Sequence, residues 1–379
     1  MLIKFIFRTF ANMNTTSQET YIQDATSLLQ RLIATPSVSR DEATAADIVE
    51  EALRQYGYSP QRKNNNVWGI SPDFIEKRPT ILLNAHVDTV KPVASWTHDP
   101  FTPTLEGDRL YGLGANDCGG GLVSLLQTFR MLAPANSFSP EKGRTGVNLI
   151  FLASAEEEVS GKDGIVAALP ELPKIDVAIV GEPTGIQPAI AEKGLMVLDV
   201  IAHGKSGHAA RNEGVNAIYE ALDDLTWFRN YRFERVSKFL GPTKMQVTVI
   251  NAGTQHNVVP DECCMVVDVR TNELYTNEEV YDIICQHIRS EVKARSFRLS
   301  SSHIDINHPL IRRCIDMGML PFGSPTLSDQ ALMPFPSFKL GPGDSARSHS
   351  ADEYICISEI AHAIETYTRL LEHIEISTT

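Results

Sequence analysis

The chain has 379 residues, more than one hydrophobic core usually organises, so two domains are expected. Hydrophobic residues make up 42% and charged residues 21%, which excludes a mostly disordered chain. With 34 basic residues against 47 acidic ones the formal net charge is −13, which argues against nucleic-acid backbones and anionic lipid as partners.

The opening MLIKFIFRTF is apolar and basic, but Lys4 and Arg8 break the run and no small-residue cleavage site follows, so no signal peptide is expected. Met13 is an alternative start, because the first convincing helix is expected only after Ser17. Leu28, Leu29, Leu32 and Ile33, then Ala46, Ile48, Val49 and Leu53, recur at helical spacing and predict two amphipathic helices separated by Pro36. No apolar run is long enough to span a bilayer. Six cysteines, at 118, 263, 264, 285, 314 and 356, form no C-x-x-C pair, which suggests neither a disulfide framework nor a zinc ribbon and fits a reducing, cytoplasmic compartment.

Short apolar runs bounded by Gly, Pro and polar residues come next, at Thr80–Asn84, 147–153, 176–180 and 337–340, alternating with helical patterns. This predicts an α/β sheet, in which reactive groups collect beyond the carboxyl ends of the strands. Each run is indeed followed by ligand-type side chains: His86 and Asp88, then Glu156, Glu157 and Glu158, then Glu182, then His349. Asp117 lies in LGANDCGGG, ahead of a predicted helix over Leu122–Leu132. From 191 to 306 the pattern becomes β-α-β-β-α-β, a split βαβ unit, predicting a smaller α+β domain inserted into a larger one made of 1–190 and 307–379.

Zinc takes imidazole nitrogen and carboxylate oxygen in mixed sites, and a metal pair needs a carboxylate that can bridge. In LLNAHVDTV, His86 is a candidate ligand, and Asp88 is a candidate acceptor of its other ring proton. Alone, His86 reads better as a strand-end histidine bonded to backbone. SAEEEVSG sets three carboxylates in succession at a strand end, where repulsion is costly unless a cation offsets it; an acid-rich helix start is the other reading. Cys118 could be a soft ligand, but packing at the helix start fits it better, and His256, Cys263 and Cys264 read as structural.

The segments HVD, GLGAND, EEEVSG, GEPT, GHAARNEGVNAI, NVVPDE, DVR and GPGDSARSHSADEY occur in the order and approximate spacing of the family that contains acetylornithine deacetylase, succinyl-diaminopimelate desuccinylase, aminoacylase and carboxypeptidase G. The chain resembles that family over nearly its whole length after Ser17. The resemblance implies a zinc-peptidase-like three-layer domain with a mixed central sheet, and a ferredoxin-like lid and dimerisation domain. It implies one zinc held by His86 and Glu182, another by Glu158 and His349, with Asp117 bridging and Glu157 as general base. A register slip of one residue in the acidic triplet would exchange Glu156 for Glu157. His208, Asn257 and Arg270 match substrate-gripping residues, His208 acting within the subunit or across a dimer. Many relatives carry a lysine where this chain has Gly119, which leaves the acyl and side-chain preference open.

The resemblance therefore implies zinc-dependent hydrolysis of an N-acyl amino acid, with N2-acetyl- or N2-succinyl-ornithine or the citrulline analogue first, in arginine biosynthesis. Cobalt or manganese would suit the same donors. Succinyl-diaminopimelate desuccinylase and a di- or tripeptidase are the alternatives. A catalytically silent binding module is the reading from another class, and retention of each ligand-type residue argues against it.

Overall fold

The computed structural model describes residues 15–135, 145–211 and 213–376. The opening decapeptide and Met13 lie outside the described residues. The chain divides into two compact units, one of Met1–Ile190, Ile304–Phe322 and Met333–Thr379, the other of Ala191–His303 and Gly323–Leu332.

The first unit is built on a mixed sheet. In spatial order its strands are Gln61–Lys63, Asn66–Ile70, Asn148–Ser154, Thr80–His86, Val177–Val180, Ser337–Lys339 and Ala189–Glu192. The four from Asn148–Ser154 to Ser337–Lys339 run parallel, and the strands flanking them are antiparallel. All residues of those four parallel strands are buried. Covered on both faces, such strands read as continuous apolar runs, which is why these runs stand out in the sequence.

Helix Gly120–Leu132 packs on this sheet and is flanked by helices Thr15–Ile33 and Ile357–Leu371. It approaches closely: a Cβ on Gly121 would fall 1.8 Å from the Gly181 carbonyl oxygen, so only glycine allows the contact. Helix Ala43–Gln55 covers strand Asn66–Ile70. The buried Tyr367 hydroxyl donates to the Leu340 carbonyl and ties the last helix to the end of a central strand.

The second unit combines helices Ala217–Asn230 and Asn277–His287 with one main sheet. Strands Lys244–Ala252, Glu262–Arg270, Met196–His203 and Glu291–Ala294 form an antiparallel sheet in that spatial order. Strand Met196–His203 alternates buried and less buried residues, and its inward Met196, Leu198, Val200 and Ala202 share one cluster with Ala221 and Phe228 of helix Ala217–Asn230 and with Val280 and Ile284 of helix Asn277–His287. Both helices therefore cover the same face. Their starts are local in origin: Asn216 accepts the Ile218 amide proton, and Thr276 with Glu279 forms a reciprocal capping box.

Candidate metal centre

His86 ends its strand and is buried. Its Nδ1 lies 2.8 Å from the backbone carbonyl oxygen of Asp88, a pure acceptor, so Nδ1 carries a proton and Nε2 is the nitrogen turned to the site. The acceptor is this carbonyl and not the Asp88 carboxylate expected from the sequence, whose nearer oxygen is 3.6 Å away. The Asp88 carboxylate instead accepts the Ser39 hydroxyl at 2.6 Å and the amides of Glu157 and Glu158 at 3.1 and 3.3 Å. Burial works against its ionisation, yet His86, Ser39 and the Glu157 amide hold its pKa below the usual range. Asp88 thus ties the end of one central strand to the acidic turn after the next.

Within that turn the three glutamates diverge. Glu156, with φ 52°, folds back on its own loop, where its Oε2 accepts the Asp163 amide proton at 3.4 Å. Glu157 Oε2 lies 3.9 Å from His86 Nε2, and Glu158 lies 3.0 and 3.1 Å from His349 Nε2 through its two oxygens. The hydrogen bond with Glu158 raises the His349 pKa to about 9. His349 adopts a left-handed backbone, φ 58°, uncommon for a residue with a Cβ.

Asp117 stands between the two imidazoles. Its Oδ1 is 3.2 Å from His86 Nε2 and its Oδ2 is 3.7 Å from His349 Nε2. It sits in the irregular turn Ala115–Gly119, whose Asn116 and Asp117 amides donate to Glu353 Oε1 at 2.8 and 2.9 Å. Asn116 Nδ2 donates in turn to the Asp344 carbonyl and to Ser348 Oγ, which joins this turn to the segment bearing His349. Burial opposes ionisation of Asp117, but the hydrogen bond and charge of His86, with Ser348 and His349, lower its pKa. Sequence reasoning missed Glu353, Asn116, Ser348 and Ser39. Glu353 and Ser348 lie inside GPGDSARSHSADEY and Asn116 inside GLGAND, but their use depends on contacts between distant segments.

Glu182 Oε1 is 3.7 Å from His86 Nε2 and is buried without a hydrogen-bond partner. Burial, then the charge of Asp117, push the Glu182 pKa up to about 8, against the pull of Lys339 and His86. A buried orphan oxygen in a crowd of acids is costly unless something positive meets it. Two imidazole nitrogens and carboxylates on both sides of a shared Asp117 fit divalent cations, and His86 with Asp117 and Glu158 lies within the span one ion can bridge. Cys118 also lies close to His86 and Glu182, but its thiol donates to the Gly181 carbonyl oxygen at 3.2 Å and burial raises its pKa well above the ordinary value. It is a packed, neutral thiol. Gly119 has no room for the lysine of many relatives, because a Cβ there would fall 2.5 Å from the Gly114 carbonyl oxygen and 2.6 Å from Leu29 Cδ1.

The other sequence candidates belong to the second unit. His208 is exposed and its Nδ1 accepts the Ala210 amide proton at 3.1 Å, while the Ala209 amide donates to the Asn257 carbonyl at 3.0 Å. Arg270 forms a two-pronged pair with Asp268 at 2.8 and 3.0 Å. Cys263 is buried in the core of this unit, and all six cysteines are free.

The chain is 28% identical over 378 residues to acetylornithine deacetylase of Proteus mirabilis, covering 91% of this chain and 95% of that protein. It is 24% identical over 394 residues to succinyl-diaminopimelate desuccinylase of Ehrlichia ruminantium, covering 94% and 99%. Its fold is shared with a tripeptidase of Staphylococcus aureus, at a TM-score of 0.71 and 19% identity over 93% of this chain and 98% of that one. It is also shared with a dinuclear metal binding peptidase from Bacillus subtilis, at a TM-score of 0.69 and 16% identity over 94% and 100%. The family model of Peptidase family M20/M25/M40 matches residues 82–373, so this chain belongs to that family and is an amidohydrolase.

Proposed function

We propose that the chain removes the acyl group from an N-acyl amino acid, with N2-acetyl- or N2-succinyl-ornithine or the citrulline analogue as substrate, in arginine biosynthesis in the cytoplasm. The observation that carries this reading is Asp117, which turns one oxygen to His86 and the other to His349, as a carboxylate shared by two cations must. In this reading His86 and Glu182 hold one divalent cation and Glu158 and His349 the other; zinc is the first choice, and cobalt or manganese suits the same donors. When bound, such a pair polarises the acyl carbonyl and lowers the pKa of a water.

The chain's own groups then carry the protons. The Glu157 carboxylate accepts the proton lost by the attacking water and donates it to the nitrogen of the departing amine. Its charge is thereby restored, and one water is consumed per bond cleaved. Asp88 holds the backbone of Glu157 and Glu158, and the Asp88 carbonyl keeps His86 in one tautomer. In the second unit, Arg270 pairs with the substrate α-carboxylate, and His208 and Asn257 grip the reacting amide. That unit serves as lid and as the surface through which two copies associate. The partners are accordingly a small-molecule substrate and a second copy of the chain.

The test is a substrate panel with Zn²⁺-loaded protein: acetyl-ornithine, succinyl-ornithine, acetyl-citrulline, succinyl-diaminopimelate and free dipeptides, with chelator-treated protein as control. Chelator-sensitive turnover that favours the acylated ornithines or citrulline is expected. Preference for dipeptides or for succinyl-diaminopimelate, or turnover that survives chelation, would overturn the assignment.

A further inference from the structure

The segment that leaves His86 meets the segment that bears His349 in contacts the catalytic step above does not use. After Thr89, whose amide donates to the Ser37 carbonyl at 2.8 Å, residues 91–95 are exposed, and the chain is fixed again at Thr97 and His98. There the Asp352 carboxylate accepts both backbone amide protons on Oδ1, at 2.8 and 2.9 Å, and the Thr97 hydroxyl on Oδ2 at 2.7 Å. His98 Nδ1 lies 3.2 Å from Oδ1, and its ring stacks on Tyr111, which pairs with Tyr354 across strands Arg109–Tyr111 and Tyr354–Cys356. Two residues after His98, the Pro100 carbonyl accepts the Leu113 amide proton at 2.8 Å, just ahead of the turn that carries Asp117. Segment 97–100 therefore joins the chain paths of His86, Asp117 and His349.

His349 itself rides on a short turn. On its N-terminal side the turn is held through Ser348, bonded to Asn116, and through Arg347, which pairs with Glu359 at 2.8 and 3.1 Å. On the other side the Ser350 hydroxyl only closes the turn on the Arg347 carbonyl at 2.7 Å, and the first side chain to reach another segment is that of Asp352, three residues after His349. Asp352 has a left-handed backbone, φ 55°, as His349 does, and a residue with a Cβ keeps such a conformation only where its surroundings fix it. A ligand nitrogen must stay within about 0.5 Å of its place to serve a metal. We propose that Asp352 is a positioning residue for His349: by clamping Thr97 and His98 it fixes where His349 stands relative to His86. This role rests on the metal reading given above, and it singles out the cation assigned to Glu158 and His349, because the clamp lies on the His349 turn.

Chelator competition on the Zn²⁺-loaded full chain, with retained zinc counted by atomic emission, tests this for wild type, Asp352→Ala, Asp352→Asn and Thr97→Val. Asp352→Ala is expected to release one zinc per chain at a chelator concentration at least roughly tenfold lower than wild type requires, the low end of what outer partners contribute to metal affinity, while the other zinc is kept. Asp352→Asn still offers an oxygen to the two amides and an amide group to the Thr97 hydroxyl, so it should restore most of the loss. Thr97→Val removes one arm from the far side of the clamp and should shift the same zinc in the same direction by less. Thermal unfolding of the chelated variants is the control. A lowered midpoint with both zincs held as in wild type would show that Asp352 only braces a loop and overturn the proposal, as would equal weakening of both zincs or no rescue by Asp352→Asn. If Asp352→Ala does not fold, Thr97→Val against wild type decides by the same criterion. A wild type that never holds two zincs removes the metal reading and this proposal with it, whereas two equally held zincs in wild type and variants alike overturn this proposal alone.

Discussion

The two units place their candidate functional groups in opposite physical settings. In the first, the central strands are buried on both faces, and the Asp88 and Glu353 carboxylates are held by backbone amides from other segments. In the second, the strands expose one face, His208 bonds two residues along its own chain, and Arg270 is half-exposed and paired with Asp268 on the same strand. A cluster of like charges survives only where many contacts fix it, whereas a group that must receive a ligand can remain solvated with a replaceable partner. The contrast predicts that substitutions in the first unit change metal content or rate, while those in the second change apparent affinity.

The strongest break should come from Asp117→Asn. It weakens both sides of the site at once, so metal content by atomic emission should fall and turnover should drop by more than the ~10⁴-fold upper range of general-base removal. A variant with full metal content would sink the shared role of Asp117. Glu157→Gln comes next: turnover falls by ~10²–10⁴-fold with metal content unchanged, and near-normal turnover would remove Glu157 from proton transfer.

Glu353→Ala leaves the Asn116 and Asp117 amides unpaired, at about 1–3 kcal/mol for a buried group, and should weaken metal affinity by roughly 10–100-fold in a chelator competition. Glu353→Gln keeps an acceptor and should recover most of that loss; failure to recover would mean that the charge matters more than the hydrogen bonds. The smallest effect belongs to the second unit. Arg270→Ala should raise KM about tenfold or somewhat more, the scale of one charge-assisted hydrogen bond, with kcat and metal content kept. A collapse of kcat would erase the distinction between the two units.

Much of this was legible from residues alone. Strands buried on both faces must be apolar throughout, so Thr80–His86, Asn148–Ser154 and Val177–Val180 announce themselves, and the acids and histidines just after them stand out by contrast. The period of two in Met196–His203 and the capping box at Thr276 mark the elements of the second unit in the same local way. Local pattern could not choose which atom of Asp88 meets His86, because carbonyl and carboxylate belong to the same residue and differ only through the backbone path after the strand. Nor could it find Glu353 bonded to the Asp117 amide. This relation joins residues far apart in the chain, and strand order and register, set by packing over the whole sheet, decided it.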